Sequence, residues 1–322
     1  MSVDSITIIV PTRHRPAFVA VAARSIQASA AELMRARGIP TRVLVVDDAP
    51  DNDETERLAR SLGVDYLRVA EHDGRRDPGA AIVLGVQHVD TQYQAIFGDD
   101  DVMLPRHLVA AVDKLEQGFD VVSCSFQVGD LSLRPYYKTV ILEPTCLGDL
   151  IAGHTTVNDG SFVAHDLVKG LDWDVTLLGQ MLVPIWGEVM LAGHTVGVVE
   201  EPTWIYRRHD TNLSSGALSA EDRELRALVR KQLAERAMEV LGHVPPSTRE
   251  LRLQAEAAAQ RAEEEEAARR LVEAERQRVL SAQRNGRAVV PGEFAGRPRA
   301  LVRRGRNKLG RVLTQAGRAV AP

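Results

Sequence analysis

Residues 94–105 read QAIFGDDDVMLP, a short apolar run that stops at Gly98 and three consecutive aspartates, Asp99, Asp100 and Asp101. An apolar run of this length, bounded by a glycine, reads as a buried strand. Two earlier runs have the same form. ITIIV at 6–10 leads into Pro11, Thr12 and Arg13, with Arg15 close behind, and VLVV at 43–46 leads into Asp47 and Asp48. Helical patterns at 17–37, 53–62 and 79–89 separate these runs, and 64–69 reads as a further strand. Pro105 suits the first turn of another helix, whose Leu108, Val112 and Leu115 share a face, and DVVSCSF at 120–126 closes the series. Apolar strands alternating with helices predict an α/β fold, a Rossmann-like, mostly parallel sheet covered by helices on both faces. In such sheets functional residues gather beyond the carboxyl ends of the strands.

That rule puts two acidic clusters, Asp47-Asp48 and Asp99-Asp100-Asp101, at neighbouring strand ends. Like charges about 4 Å apart cost on the order of 1 kcal/mol per pair even in water, and more when partly buried. A cation is therefore expected among them. Carboxylate oxygens suit Mg²⁺ or Mn²⁺, which bind one or two carboxylates together with substrate phosphates. The plainer reading is a solvated turn before a Pro-initiated helix, where an aspartate meets the positive end of the helix dipole. A third strand end offers Thr12, Arg13 and Arg15 as phosphate or base donors. Downstream, TWIYRR at 203–208 ends in Arg207, Arg208 and His209, another set able to meet a metal or a diphosphate.

Composition narrows the class. The chain has 322 residues and is 44% hydrophobic, enough for roughly two domains at about 150 residues each. Two cysteines exclude a disulfide framework, and no Cys/His spacing resembles a zinc site, so a reducing compartment, the cytoplasm, is expected. The N-terminus enters an apolar run without a basic region, unlike a signal peptide. No apolar stretch approaches the ~18–20 residues of a transmembrane helix. The formal charge of −4 hides an asymmetry: residues 285–322 hold nine Lys and Arg against one acidic residue, Glu293.

The stretches IIVPTRHRP, VVDDAPDND, IFGDDDVMLP and EPTWIYRRHDTN, in that order across roughly residues 5–215, resemble the successive signatures of family 2 glycosyltransferases of the GT-A fold. The resemblance implies transfer of a sugar from a UDP-, GDP- or dTDP-linked donor, usually with inversion and with Mg²⁺ or Mn²⁺. It implies that Pro11, Thr12, Arg13 and Arg15 form the first nucleotide-binding loop. Asp48, with Asp47 beside it, would meet the base. Asp99 and Asp101 would be the outer residues of the DxD motif around Asp100, with Asp101 on the metal and Asp99 facing ribose or sugar. His209 would lie near the metal and diphosphate.

Two departures follow from the same comparison. The family's Ala-Arg-Asn-x-Gly stretch is here Ala81-Ile82-Val83-Leu84-Gly85, so Arg75 or Arg76 would have to supply the missing polar contact. The Glu-Asp pair that provides the family's catalytic base is replaced by Gly179-Gln180-Met181. Glu188 is the nearest carboxylate, with Asp172 and Asp174 as rivals. Absence of any base would make the chain a degenerate nucleotide-binding module rather than an enzyme.

The expected organisation is a nucleotide-sugar half at 1–130 and an acceptor half at 131–217, to which Asn158, Asp159 and Trp186 would contribute. An amphipathic helix at 218–244, bearing Leu225, Leu228, Val229, Leu233, Ala237 and Leu241, precedes an Ala/Glu/Arg-rich helix at 245–285. The basic tail, 286–322, places Leu301, Val302, Leu309, Val312, Leu313, Ala316 and Val320 at near-helical spacing. It reads as a segment resting on the anionic inner face of the membrane, which suits a lipid-linked or cell-envelope glycan acceptor. Gly305, Gly310 and Gly317 favour a solvated tail instead. No aromatic stacking residues accompany the charge, so nucleic acid is not an expected partner.

Overall fold

The structure is a computed structural model, describing residues 2–49, 53–70, 78–143, 145–154, 160–171, 182–210, 212 and 220–284. The chain divides into two units, 1–252 and 253–322.

The first unit is built on a mixed sheet. β1 (Ile6–Thr12), β2 (Thr41–Asp47), β3 (Asp65–Arg68) and β4 (Tyr93–Ile96) form its parallel half, in the order β3-β2-β1-β4. α1 (Pro16–Arg37), α2 (Asp53–Leu62) and α3 (Gly79–Gln87) are the intervening helices. The other half is not mostly parallel. β5 (Val102–Met103), α4 (His107–Leu115), β6 (Val121–Gly129), β7 (Pro135–Val140), α5 (Leu147–Ala152), β8 (Phe162–Ala164), α6 (His165–Val168), α7 (Leu182–Leu191) and β9 (Val196–Arg207) follow in the chain. The order continues β4-β8-β6-β9-β5. β8 is antiparallel to both β4 and β6, β5 is antiparallel to β9, and β6 and β9 are parallel. The run read at 203–208 is the end of a longer strand, β9, which begins at Val196. Its pairing with β6 shifts register between Cys124 and Phe126, which accommodates Pro202 and the exposed Glu200 and Glu201.

Side-chain alternation explains why the parallel strands are apolar throughout. Ile8, Val10, Val43 and Val45 pack on one side with Val19, Ile26 and Leu33 of α1 and with Leu108, Val112 and Leu115 of α4. Ile9, Leu44, Val46 and Ile96 pack on the other with Ala81, Ile82 and Val86 of α3. Gly85 permits that second contact. A Cβ there would lie 2.5 Å from Ile9 Cγ2 and 3.2 Å from Val46 Cγ2, closer than packed carbons tolerate.

α8 (Ala220–Leu241) packs on α7 and α5, but through a narrower stripe than expected. Val229, Leu233 and Ala237, at four-residue spacing, are buried, whereas Leu228 and Leu241 are exposed. α9 (Thr248–Arg284) opens on a capping box. Ser247 Oγ accepts the Glu250 N–H at 3.2 Å, and Glu250 Oε2 accepts the Ser247 N–H at 2.8 Å. Asp149 of α5 accepts a further hydrogen bond from Thr248 N–H at 2.8 Å. Within the second unit, α9 has exposed side chains at every residue whose burial is described. The described residues contain no helix long and apolar enough to cross a membrane. The basic tail lies outside the described residues.

Two stability predictions follow. Gly85→Ala gains up to about 1 kcal/mol of helix propensity but overpacks the Ile9 contact at a cost of about 1–3 kcal/mol. Urea unfolding is expected to show a net loss of about 1–2 kcal/mol, and an unchanged midpoint would contradict the close approach. His107 is fully buried, with Nδ1 2.8 Å from Thr203 Oγ1, and burial pushes its pKa down to about 3. The unfolded chain, with an ordinary histidine near 6.5, binds the extra proton between these values. Stability from this group is complete above about pH 6.5 and is lost as pH falls. Between pH 7 and pH 5 the wild type should lose about 2 kcal/mol more than His107→Gln. Equal losses would show that the buried imidazole is not neutral.

Candidate active site

Strand register assembles the site. Thr12 at the end of β1 is level with Asp47 at the end of β2, and Ile9 is level with Ile96 of β4. The carboxyl ends of β2, β1 and β4 therefore open on one edge, and Asp48 N–H donates to the Thr12 carbonyl at 2.9 Å. After β1 the chain turns through His14, whose φ of 53° is left-handed and unusual for a side chain with a Cβ. That turn delivers Arg15 to the aspartates.

All three aspartates are held. Asp99 is 4% exposed; its Oδ2 accepts from Thr12 Oγ1 at 2.6 Å and its Oδ1 from Arg15 Nη1 at 2.7 Å. Asp100 Oδ2 lies 3.2 Å from Arg15 Nη1, 3.1 Å from His209 Nε2 and 3.1 Å from Asn212 Nδ2. Asp101 Oδ1 accepts the Arg207 N–H at 3.0 Å, and Arg207 Nε donates to the Asp100 carbonyl. Gly98 lets the triplet fold back on itself, because a Cβ there would meet Asp100 Oδ1 at 3.0 Å and Asp101 Oδ2 at 3.2 Å.

The electrostatics follow from burial and pairing. Burial pushes the Asp99 carboxyl above the usual carboxylate range; Arg15 and Thr12 offset part of this, and the neighbouring Asp100 charge adds to it. Burial also opposes the Arg15 charge, but Asp99 and Asp100 outweigh it and hold the guanidinium above its ordinary value. Arg207 is 3% exposed, and burial lowers it despite the pull of the three aspartates. Two guanidiniums thus face three carboxylates.

Asp47 belongs to a separate group. Its Oδ2 accepts from the Tyr66 hydroxyl at 3.4 Å, and that hydroxyl accepts from Arg68 Nε at 3.0 Å. Burial pushes Asp47 up, against hydrogen bonds from Thr55 and Tyr66. Its Oδ1 has no hydrogen-bond partner among the described residues.

The structure thus brings Thr12, Arg15, Asp99, Asp100, Asp101 and His209 together, with Pro11, Asp47 and Asp48 at the same edge and Arg13 in the following turn. Glu188 is elsewhere engaged: its Oε1 is 3.1 Å from Arg236 Nε of α8. Trp186 is 4% exposed and packs in the core with Ile185, Val189 and Leu233, so it is not a platform for a sugar. Asp172, Asp174, Arg75, Arg76, Asn158 and Asp159 lie outside the described residues. Two contributors, Asn212 and Phe18, carried little sequence signal. Asn212 bridges Asp100 and the Arg207 carbonyl, at 3.1 and 3.0 Å. Arg207, rather than its neighbour Arg208, reaches the triplet. Phe18, an ordinary apolar residue of α1, stacks on His209 at 4.9 Å.

As a metal site the cluster is incomplete by itself. Among the described residues no three His, Cys, Asp or Glu side chains gather as a cage. Asp99 is tied to Thr12 and Arg15, and His209 to Asp100. The donor set still fits Mg²⁺ or Mn²⁺ shared with phosphates, which asks for only one or two protein carboxylates. The excess of carboxylates over guanidiniums also leaves residual negative charge for a cation to balance.

Residues 7–163 match the family described as Glycosyl transferase family 2. Comparison with curated proteins returned no match. Among solved structures, S. aureus TarS 1-349 is similar with a TM-score of 0.54 at 15% identity, covering 73% of this chain and 66% of that one. The same protein in complex with UDP-GlcNAc gives 0.53 at 14% identity, with 73% of each chain covered. Its complex with UDP gives 0.52 at 15%, covering 73% and 72%. The chain spans about two thirds of the first of these structures and 40% of a longer TarS structure. The mixed sheet flanked by helices is the GT-A-like fold, and residues 7–163 of it match the family 2 glycosyltransferase domain.

Proposed function

We propose that the protein is a glycosyltransferase that moves a sugar from a nucleoside-diphospho-sugar to a hydroxyl of a glycan or lipid-linked acceptor, by a single inverting displacement. The observation that carries this reading is the meeting of Thr12, Arg15, Arg207 and the aspartate triplet at one sheet edge. Asp48 would accept from the base, while Arg15 and Arg207 would face the diphosphate as it leaves with growing charge. The UDP and UDP-GlcNAc complexes of TarS support a uridine nucleotide as the donor's carrier. Asp101, with Asp99 beside it, would hold Mg²⁺ or Mn²⁺ against the phosphates. When bound, such an ion supplies positive charge to the leaving group.

The acceptor hydroxyl must lose a proton, and a carboxylate within ~3 Å is the ordinary means. The ion pair with Arg236 favours a role for Glu188 in holding α7 against α8. On that reading Asp172 or Asp174 would take the proton.

Thermal denaturation tests the donor site. UDP with Mn²⁺ should raise Tm, since ligand at a hundredfold excess over Kd stabilises by about 2.7 kcal/mol. Asp101→Asn should remove the Mn²⁺-dependent part. If UDP, GDP and dTDP all leave Tm unchanged with Mn²⁺ present, the reading fails. For the base, Glu188→Gln should keep transfer within about threefold, whereas Asp172→Asn or Asp174→Asn should lower kcat by about a hundredfold or more. A collapse of kcat in Glu188→Gln alone would return the role to Glu188. Loss in none of the three would favour a nucleotide-binding module without turnover.

A further inference from the structure

Phe18 has no polar side-chain atom, yet three groups that hold the aspartate triplet meet at its ring. The His209 imidazole is stacked on it with ring centroids 4.9 Å apart and planes 23° from parallel. The Arg15 and Arg207 guanidinium carbons lie 5.3 and 5.1 Å from its centroid. Each group also touches the triplet: Arg15 through Asp99 and Asp100, Arg207 through the Asp100 carbonyl and Asp101, and His209 through Asp100. Phe18 sits in the first turn of α1, whereas Arg207 ends β9 and His209 follows it.

Arg207 shows why the ring matters. It is 3% exposed, and its Nη2 has no hydrogen-bond partner among the described residues. A buried donor without an acceptor is costly. The negative face of an aromatic ring attracts a cation, most strongly where water is excluded. Phe18 therefore supplies polarity where no oxygen of the described residues does. A leucine would fill much of the same space without that field.

We propose that Phe18 is a positioning residue, whose ring holds Arg15, Arg207 and His209 in the places from which they bind the aspartate triplet. Its bearing on donor binding rests on reading that cluster as the diphosphate site.

The test compares Phe18→Leu with the conservative Phe18→Tyr, after confirming by circular dichroism that both fold. In nucleotide-free protein labelled with ¹⁵N-arginine, exchange of the Arg207 Nε–H reports the bond to the Asp100 carbonyl, with the signal assigned by its loss in Arg207→Lys. Phe18→Leu should speed this exchange by about tenfold or more, and Phe18→Tyr should hold it near the wild-type rate. Calorimetry with UDP and Mn²⁺ should then show Kd raised about tenfold in Phe18→Leu and rescued in Phe18→Tyr. In donor hydrolysis, KM should rise more than kcat falls. Should Phe18→Leu not fold, Phe18→Met takes its place with the same outcomes. Unchanged Arg207 exchange in a folded variant lacking the ring overturns the proposal. Faster exchange in a protein whose wild type binds no nucleoside diphosphate keeps the positioning role and removes the donor-site reading.

Discussion

Three carboxylates on consecutive residues, two of them almost wholly out of water, are the constraint around which this fold is arranged. Their mutual repulsion would run to several kcal/mol in such surroundings without opposite charge close by. The chain supplies it from two directions. Arg15 arrives over the left-handed turn at His14, and Arg207 arrives at the end of β9, with Thr12, His209 and Asn212 completing the hydrogen bonds. β1, β4 and β9 must all be in place for the triplet to exist in this form, so the charge cluster and the sheet specify each other.

Much of this was legible in the sequence, for identifiable reasons. The strands at 6–12, 41–47 and 93–96 are buried on both faces, so their unbroken apolar runs stand out, and their polar ends mark the functional edge. The helices from 16 to 62 keep clear period and boundaries. β9 was harder, because Glu200, Glu201 and Pro202 interrupt its apolar pattern while the strand continues through them. The antiparallel insertion of β8 was invisible for a different reason. Three residues, Phe162 to Ala164, carry no periodicity, and only pairing with β4 and β6 makes them a strand. The expectation that the triplet calls for a cation was sound physics applied to a local view. Its first counter-ions are guanidiniums 84 and 107 residues away in sequence, which no inspection of 94–105 could reveal.

The helices after the sheet have unlike roles. α7 and α8 are structural: a Cβ at Gly187 would overlap Leu233 Cδ1, so the glycine lets the leucine of one helix seat against the other. Trp186 and Glu188, attractive as site residues in a linear reading, are engaged in that contact or beside it. α9 carries no comparable packing in the second unit, and its Glu and Arg residues pair along the helix instead, as between Glu273 and Arg276.

β9 has a consequence of another kind. Arg207 is level with Gly129 of β6, and two and three residues earlier Ile205 and Trp204 pair with Val102 and Met103, immediately after the triplet. In a strand, a slip of one residue turns every side chain to the opposite face. Such a slip would withdraw the guanidinium and offer Tyr206 or Arg208 from the wrong side. Hydrogen-bond alignment between strands is thus also an electrostatic setting. Substitutions along β9 far from any ligand, at Pro202 or at the register shift, would then be felt at the aspartates as changes of charge rather than of shape.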